Sequence, residues 1–278
     1  MAYDYELVHV SVADRVATAT IDHPPINLMT IPLARELSHL AQEAASDDDI
    51  GALVLRSDNA DFFIAHFDVT AILDFPTTGP AERPTEIQGF HRMCETFRTM
   101  PKVTIAEIHA RVGGGGSELA ASCDLRYGAL GRTVINQMEV PLGILPGGTG
   151  TQRLPRLLGV GRALEVILAG DDLDAETAER WGYLNRALPP AELRPFVERI
   201  ARRIASFPPE AVALAKQSVR NAEDLPLRDG LLEESYLFQQ TLRADGARRN
   251  MARFLELGGQ THAGETRMGE LTAELGRP

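Results

Sequence analysis

The stretch Ile108-His109-Ala110-Arg111-Val112-Gly113-Gly114-Gly115-Gly116-Ser117-Glu118-Leu119 runs from a strand-like segment into four consecutive glycines and then a helix start that carries a carboxylate. Glycines let a backbone pass close to a ligand with no Cβ in the way. The unpaired N–H groups of a helix start are ready donors for developing negative charge. A flexible linker would be bordered by polar, structureless sequence, but Val103-Thr104-Ile105-Ala106 precedes the glycines and Leu119-Ala120-Ala121 follows them. The segment therefore reads as an active-site turn. A nucleotide loop is disfavoured, because no Lys-Ser/Thr follows the glycines and no GxGxxG pattern places an acidic ribose partner.

Working outward, a second carboxylate stands twenty-one residues on (139 − 118), in Asn136-Gln137-Met138-Glu139-Val140-Pro141-Leu142-Gly143, ahead of Pro146-Gly147-Gly148-Thr149-Gly150-Thr151-Gln152-Arg153-Leu154. The pair "GGGGSELAASCDLRYG" and "EVPLGILPGGTGTQRLPRLLG" resembles the crotonase, or enoyl-CoA hydratase/isomerase, family. In chain order, "DHPPINLM", "FFIAHFDV" at 62–69 and "GRALEVILAGDDLDAETAERWGYLNRALP" at 161–189 match the same family, so the resemblance covers roughly residues 5–220.

That resemblance implies an α/β fold: a crotonase-like spiral of ββα repeats with a C-terminal helical region. It implies a CoA thioester as substrate, with no metal or redox cofactor, and a homotrimer or homohexamer. The site residues it implies are Glu118, activating water, and Glu139, protonating C2. Backbone N–H groups of Phe67 and Gly115 would form an oxyanion hole. Ile26, Ala65, His66, Asp68, Gly114, Pro141 and Gly143 would border the substrate, with Pro146 and Gly147 shaping the wall beside Glu139. His66 stands where the family has glycine, which restricts the backbone and brings a titratable ring near the pocket. Asp22, Pro25 and Asn27 match the segment bordering CoA, although a Pro-Pro-Ile-Asn turn is equally a good strand-to-helix connection. The far wall of the pocket is expected from residues 76–100.

The chemistry is consistent. Hydration of a 2-enoyl thioester puts enolate charge on the thioester oxygen, which preorganised donors stabilise. It also needs one group to take a proton from water and another to deliver one, and two carboxylates in an enclosed site can hold different protonation states. The reading is enoyl-CoA hydratase. The alternatives are a Δ3,Δ2-enoyl-CoA isomerase or another CoA-thioester enzyme of the fold, and a catalytically idle CoA-binding or scaffold protein. Taken one at a time, Asp124 reads as structural, Trp181 as a packing residue, and Arg111 as a partner for a phosphate or an acid.

A chain of 278 residues with 44% hydrophobic residues can bury a large core. Its net charge of −11 argues against nucleic acid as a main partner. The two cysteines, Cys94 and Cys123, form no framework and read as buried in a reducing compartment, so a cytoplasmic location is expected. The first ten residues lack a basic, apolar leader pattern, and no apolar run approaches membrane-spanning length. Periodicity predicts a hairpin over 7–10 and 16–21, helices over 31–45 and 86–100, strands over 52–55 and 102–108, and a loop over 76–86. After Pro208-Pro209 the pattern is helical, over 210–222 and 229–257. The division expected is a catalytic core over 1–205 and a helical region over 206–278 that serves assembly and covers the pocket.

Overall fold

A hairpin opens the chain: Val8–Ala13 (β1) pairs antiparallel with Val16–Ile21 (β2) across Asp14 and Arg15, both at positive φ. That is the backbone a two-residue hairpin turn demands. Ile31–Ser46 (α1) comes next, with Thr30 capping the Leu33 N–H, Pro32 in its first turn, and Leu33, Leu37, Leu40, Ala41 and Ala44 forming the buried stripe. The computed structural model describes residues 3–87 and 89–276; Met1 and Ala2 of the leader reading, and Gln88, Arg277 and Pro278, fall outside the described residues.

The β1-β2-α1 unit recurs. Ala52–Ser57 (β3) and Phe62–Ile64 (β4) lead to Val69–Leu73 (α2) and Gly89–Thr99 (α3). Val103–Ile108 (β5) and Arg111–Gly113 (β6) lead to Gly114–Ser122 (α4). Leu125–Ala129 (β7) and Val134–Asn136 (β8) lead to Gly150–Leu158 (α5). In these three later repeats the first strand joins one sheet and the second joins another, so the chain winds as a spiral of ββα units. Val160–Ala169 (α6), Leu173–Asp174 (β9), Ala175–Trp181 (α7) and Arg186–Leu188 (β10) complete the core. The larger sheet has the order β1-β2-β3-β5-β7-β10 and the smaller β4-β6-β8-β9, parallel except at β1/β2 and β8/β9.

The main core lies between the sheets, α1 and α3 to α7. A second apolar cluster forms where Pro190–Ala205 (α8) lays Leu193, Val197, Ala201 and Ala205 on the other face of the larger sheet. Pro209–Asp224 (α9) docks through charge: Asp124 meets Lys216 Nζ and Arg220 Nη2, each at 2.7 Å, and Arg98 reaches Glu223 and Asp224.

The helix expected over 86–100 is confined to α3, and 76–86 is irregular and exposed. The single helical run expected over 229–257 is a correction. It is broken into Leu227–Thr241 (α10) and Asp245–Glu256 (α11), because the chain turns at 242–244 and brings α11 onto Pro208 beside Gly246. His262–Glu265 (α12) and Met268–Leu275 (α13) end the described chain.

Candidate active site

Strands β4, β6 and β8 pair parallel in that order, with Phe62 beside Arg111, Ile64 beside Val112 and Val112 beside Ile135. Their C-terminal ends therefore emerge side by side, and the segments that leave them converge. From β4 come Ala65, His66 and Phe67; from β6, the glycine turn into α4; from β8, Gln137 and Glu139.

Phe67 forms an isolated parallel bridge with Met29. In such a bridge the groups used belong to the flanking residues: Met29 N donates to His66 O at 2.8 Å and Asp68 N donates to Met29 O at 3.0 Å. Phe67's own N–H is thereby turned to the opposite side, toward Gly115. A methyl group on Gly115 would stand 3.6 Å from Phe67 N and 3.2 Å from its Cβ. Gly115 is the second residue of α4, whose N-cap, Gly113, offers no side-chain cap. Neither the Phe67 nor the Gly115 N–H has a hydrogen-bond partner among the described residues.

Glycine is needed here for two distinct reasons. Gly114 has φ +43°, and a methyl group there would lie 3.0 Å from Glu139 Oε1. Gly116 backs onto β4, where a methyl group would lie 2.6 Å from Ile64 Cβ and 2.7 Å from Ile64 O. His66, by contrast, needs no glycine: positive φ at described non-glycine positions is confined to Asp14, Arg15, Asn27, Thr149 and Gln260. Its ring folds back so that Nδ1 lies 2.8 Å from Phe67 O, which fits Nδ1 as the protonated nitrogen.

Glu118 and Glu139 are both buried. Glu118 Oε1 accepts two backbone N–H bonds, from Gly148 at 2.8 Å and Gly150 at 2.7 Å. Between these donors Thr149 is held at φ +131°, a strained conformation for a β-branched residue that aims both N–H groups at one oxygen. Burial, reinforced by the charge of Glu139, pushes the Glu118 carboxyl up to about 7 against the two backbone donors. Burial also raises the Glu139 carboxyl, opposed by its own backbone N–H and by nearby His66. Glu139 Oε2 is buried with no partner among the described residues.

Phe67, Gly115, Glu118 and Glu139 line one cavity of ≈ 280 Å³, together with Ile72, Phe75, Phe90, Ile144, Leu145, Gly147 and Gly148. All of its lining comes from residues 67–148, so within one chain the C-terminal helices do not cover it. Apart from the two glutamates every side chain in this wall is apolar. A larger cavity, ≈ 540 Å³ between α5, α8 and α9, holds neither carboxylate.

Other expected site residues lie around this cavity rather than on it. The Asp68 carboxylate accepts the Thr70 N–H and caps α2. Ala65 is buried, its N–H donating to Ile26 O. Pro141 belongs to the exposed 3₁₀ turn Val140–Leu142, and Gly143 closes that turn at φ +81°. Asn27 is a scaffold residue: fully buried, it accepts from His23 N and donates toward Ile21 O, Ser57 Oγ and Phe63 O. Asp124 is structural, Arg111 pairs with Asp172, and Trp181 packs on the core.

Sequence reasoning missed the Gly148/Gly150 cradle, the identity of Phe90 within the 76–100 stretch expected to supply the far wall, and Gln137. Gln137 is fully buried beside Gly150, and neither of its amide atoms is paired among the described residues. The Pro-Gly-Gly-Thr-Gly run was a visible signal for the cradle. The other two carry no local signature.

Residues 12–264 match the family model described as enoyl-CoA hydratase/isomerase. A short-chain-enoyl-CoA hydratase from Clostridium acetobutylicum is 31% identical over 243 residues, covering 87% of this chain and 92% of that protein. Among solved structures, an enoyl-CoA hydratase from Bacillus anthracis superposes with a TM-score of 0.82 at 26% identity, covering 90% of this chain and 96% of that one. DspI from Pseudomonas aeruginosa does so with a TM-score of 0.82 at 30% identity, covering 91% and 95%.

Proposed function

Since the chain belongs to the enoyl-CoA hydratase/isomerase family, we propose that it is a 2-enoyl-CoA hydratase and that Glu118, Glu139 and the Phe67 and Gly115 N–H groups are its working parts. The observation that carries this reading is their convergence: two buried carboxylates and two unpaired backbone donors face one apolar cavity. The thioester carbonyl accepts both N–H groups, which strengthen as hydrogen bonds when enolate charge gathers on that oxygen. Water sits between the carboxylates. Glu118, its Oε1 fixed by two donors that favour the ionised form, takes the proton as water adds to C3; Glu139, with an unpaired Oε2, delivers a proton to C2. The cycle uses only proton transfers and the bound thioester, so neither a metal nor a redox cofactor is required.

Double-bond isomerisation needs proton transfer at C2 and C4 but no positioned water. The second carboxylate, Glu118, favours hydration over it. Hydration of a panel of 2-enoyl-CoA esters, monitored by loss of the conjugated-thioester absorbance, is the direct test, with 3-enoyl-CoA esters run in parallel. Turnover of the 3-enoyl series alone would assign the isomerase. Binding with no turnover in either series would assign a CoA-binding scaffold.

Assembly is part of the same reading. Within one chain α9 and α11 bury no residue fully and α10 buries only Leu237, while Leu231, Leu232, Tyr236, Phe238, Met251 and Leu255 are exposed. That apolar surface supports a homotrimer or homohexamer built through residues 206–278, with the catalytic core in 1–205. Both cysteines are free and buried, in keeping with a cytoplasmic setting. Among the described residues no helix is long and apolar enough to cross a membrane.

A further inference from the structure

Arg126, the second residue of β7, is only 5% exposed. Its Nε and Nη1 donate to the backbone oxygens of Tyr183 and Cys123, each at 2.6 Å. Its Nη2 has no partner among the described residues, and no carboxylate there forms an ion pair with it. Asp124, two residues earlier in the chain, is fully engaged: Oδ2 meets Lys216 Nζ and the Thr104 N–H, and Oδ1 meets Arg220 Nη2. A buried charge is normally paired, and burial here penalises the charged guanidinium.

Arg126 lines the ≈ 540 Å³ cavity between α5, α8 and α9, which shares no lining residue with the Glu118/Glu139 cavity. Its wall carries five cations, Arg126, Arg153, Arg156, Lys216 and Arg220, against two carboxylates, Asp124 and Glu223. This positive surplus is local, because the whole chain has a net charge of −11. The rest of the wall is apolar, with Leu157, Ile204 and Phe207 among it. We propose that this cavity is a second binding site, for an apolar monocarboxylate: the carboxylate pairs with Arg126 Nη2 and the hydrocarbon body lies against Leu157, Ile204 and Phe207. A phosphate-rich ligand fits less well. Arg126 has one nitrogen free, whereas Arg153, Lys216 and Arg220 are already held by Glu95, Glu223 and Asp124. The proposal stands apart from the thioester reading of the other cavity.

The probe is octanoate, with octanamide as its uncharged counterpart, titrated by calorimetry into the wild type, Arg126→Met, Ala215→Trp and Ile144→Trp. Ala215 is exposed and lines this cavity, whereas Ile144 lines the Glu118/Glu139 cavity. Octanoate should bind the wild type and the Ile144 variant equally well. Octanamide should bind the wild type about tenfold to a hundredfold more weakly, the worth of a hydrogen bond to a charged group. Arg126→Met should weaken octanoate by the same factor and leave octanamide unchanged, and Ala215→Trp should weaken both. Ala215→Trp keeps Arg126 and its two backbone bonds, so if Arg126→Met fails to fold, the Ala215 variant and the octanoate/octanamide difference still decide. The proposal is overturned if octanoate does not bind the wild type, if the two probes bind it equally, or if octanoate binding survives Ala215→Trp and is lost in Ile144→Trp.

Discussion

At the scale of single residues, the two glutamates carry the heaviest demand. Glu139→Gln and Glu118→Gln each keep the shape of the side chain and remove a proton-transfer group, so each should lower turnover by about 10²–10⁴-fold while acyl-CoA binding persists. Near-normal hydration rates in both variants would refute the two-carboxylate mechanism. The raised Glu118 carboxyl has a further consequence for stability. The unfolded chain releases this proton near 4.5, whereas the folded protein keeps it up to about 7, so the folded state binds more protons between those values and loses stability as pH rises through that window. Glu118→Gln should therefore be stabilised relative to the wild type by an amount that grows from near zero at pH 4.5 to about 3 kcal/mol above pH 7. Chemical denaturation of both proteins across that range checks the sign. His66 is a third residue open to direct test. Its backbone needs no glycine, and its ring bonds back to Phe67 O. His66→Gly and His66→Ala should then change hydration by less than about tenfold, against the far larger cost of losing an acid or base. If both variants lose activity by the larger factor and the acid limb of the pH–rate profile disappears with them, His66 takes part in the chemistry.

At the scale of elements, the site depends on α4 lying flush against β4. Gly116 makes that contact, and a methyl group there meets Ile64 backbone and side chain at 2.6–2.8 Å. Gly116→Ala should cost about 1–3 kcal/mol of stability. It should also push Gly115 away from Phe67, lowering kcat toward the ~10²-fold loss seen when one oxyanion donor is removed. Gly161→Ala is the natural control: it lies in α6, nothing stands near its Cβ position, and it should gain up to about 1 kcal/mol from helix propensity with turnover intact. Equal effects of the two substitutions on turnover would show that the α4/β4 contact does not govern the proposed oxyanion hole.

For the whole molecule, the C-terminal helices pose the question that one chain cannot answer internally. They leave the Glu118/Glu139 cavity uncovered and present apolar side chains to solvent. The protein should sediment as a trimer or hexamer, and deletion of residues 225–278 should dissociate it while α9 stays clamped to the core by Asp124, Lys216 and Arg220. A truncated protein that still sediments as a trimer or hexamer would contradict an assembly role for these helices.

Local sequence encoded what depends on backbone conformation and residue chemistry. The four glycines, the two carboxylates and the apolar periods specify a turn, a helix start and the strands around them, and these are properties of short segments. Even the break between α10 and α11 escaped local periodicity, and the turn there seats α11 at Gly246 against Pro208, a contact with a distant residue. The cavity itself is wholly non-local. It exists because three short parallel strands align Ile64, Val112 and Ile135, and because the Met29 bridge turns the Phe67 N–H outward. The raised Glu118 carboxyl, the Gly148/Gly150 donors and the Phe90 ring result from burial among segments up to sixty residues apart in sequence (150 − 90). Desolvation and hydrogen-bond geometry are set by what packs around a group rather than by its chain neighbours, so the sequence supplied the two carboxylates and the glycine turn, and only the tertiary structure decided their pairing, their protonation and the size of the space between them.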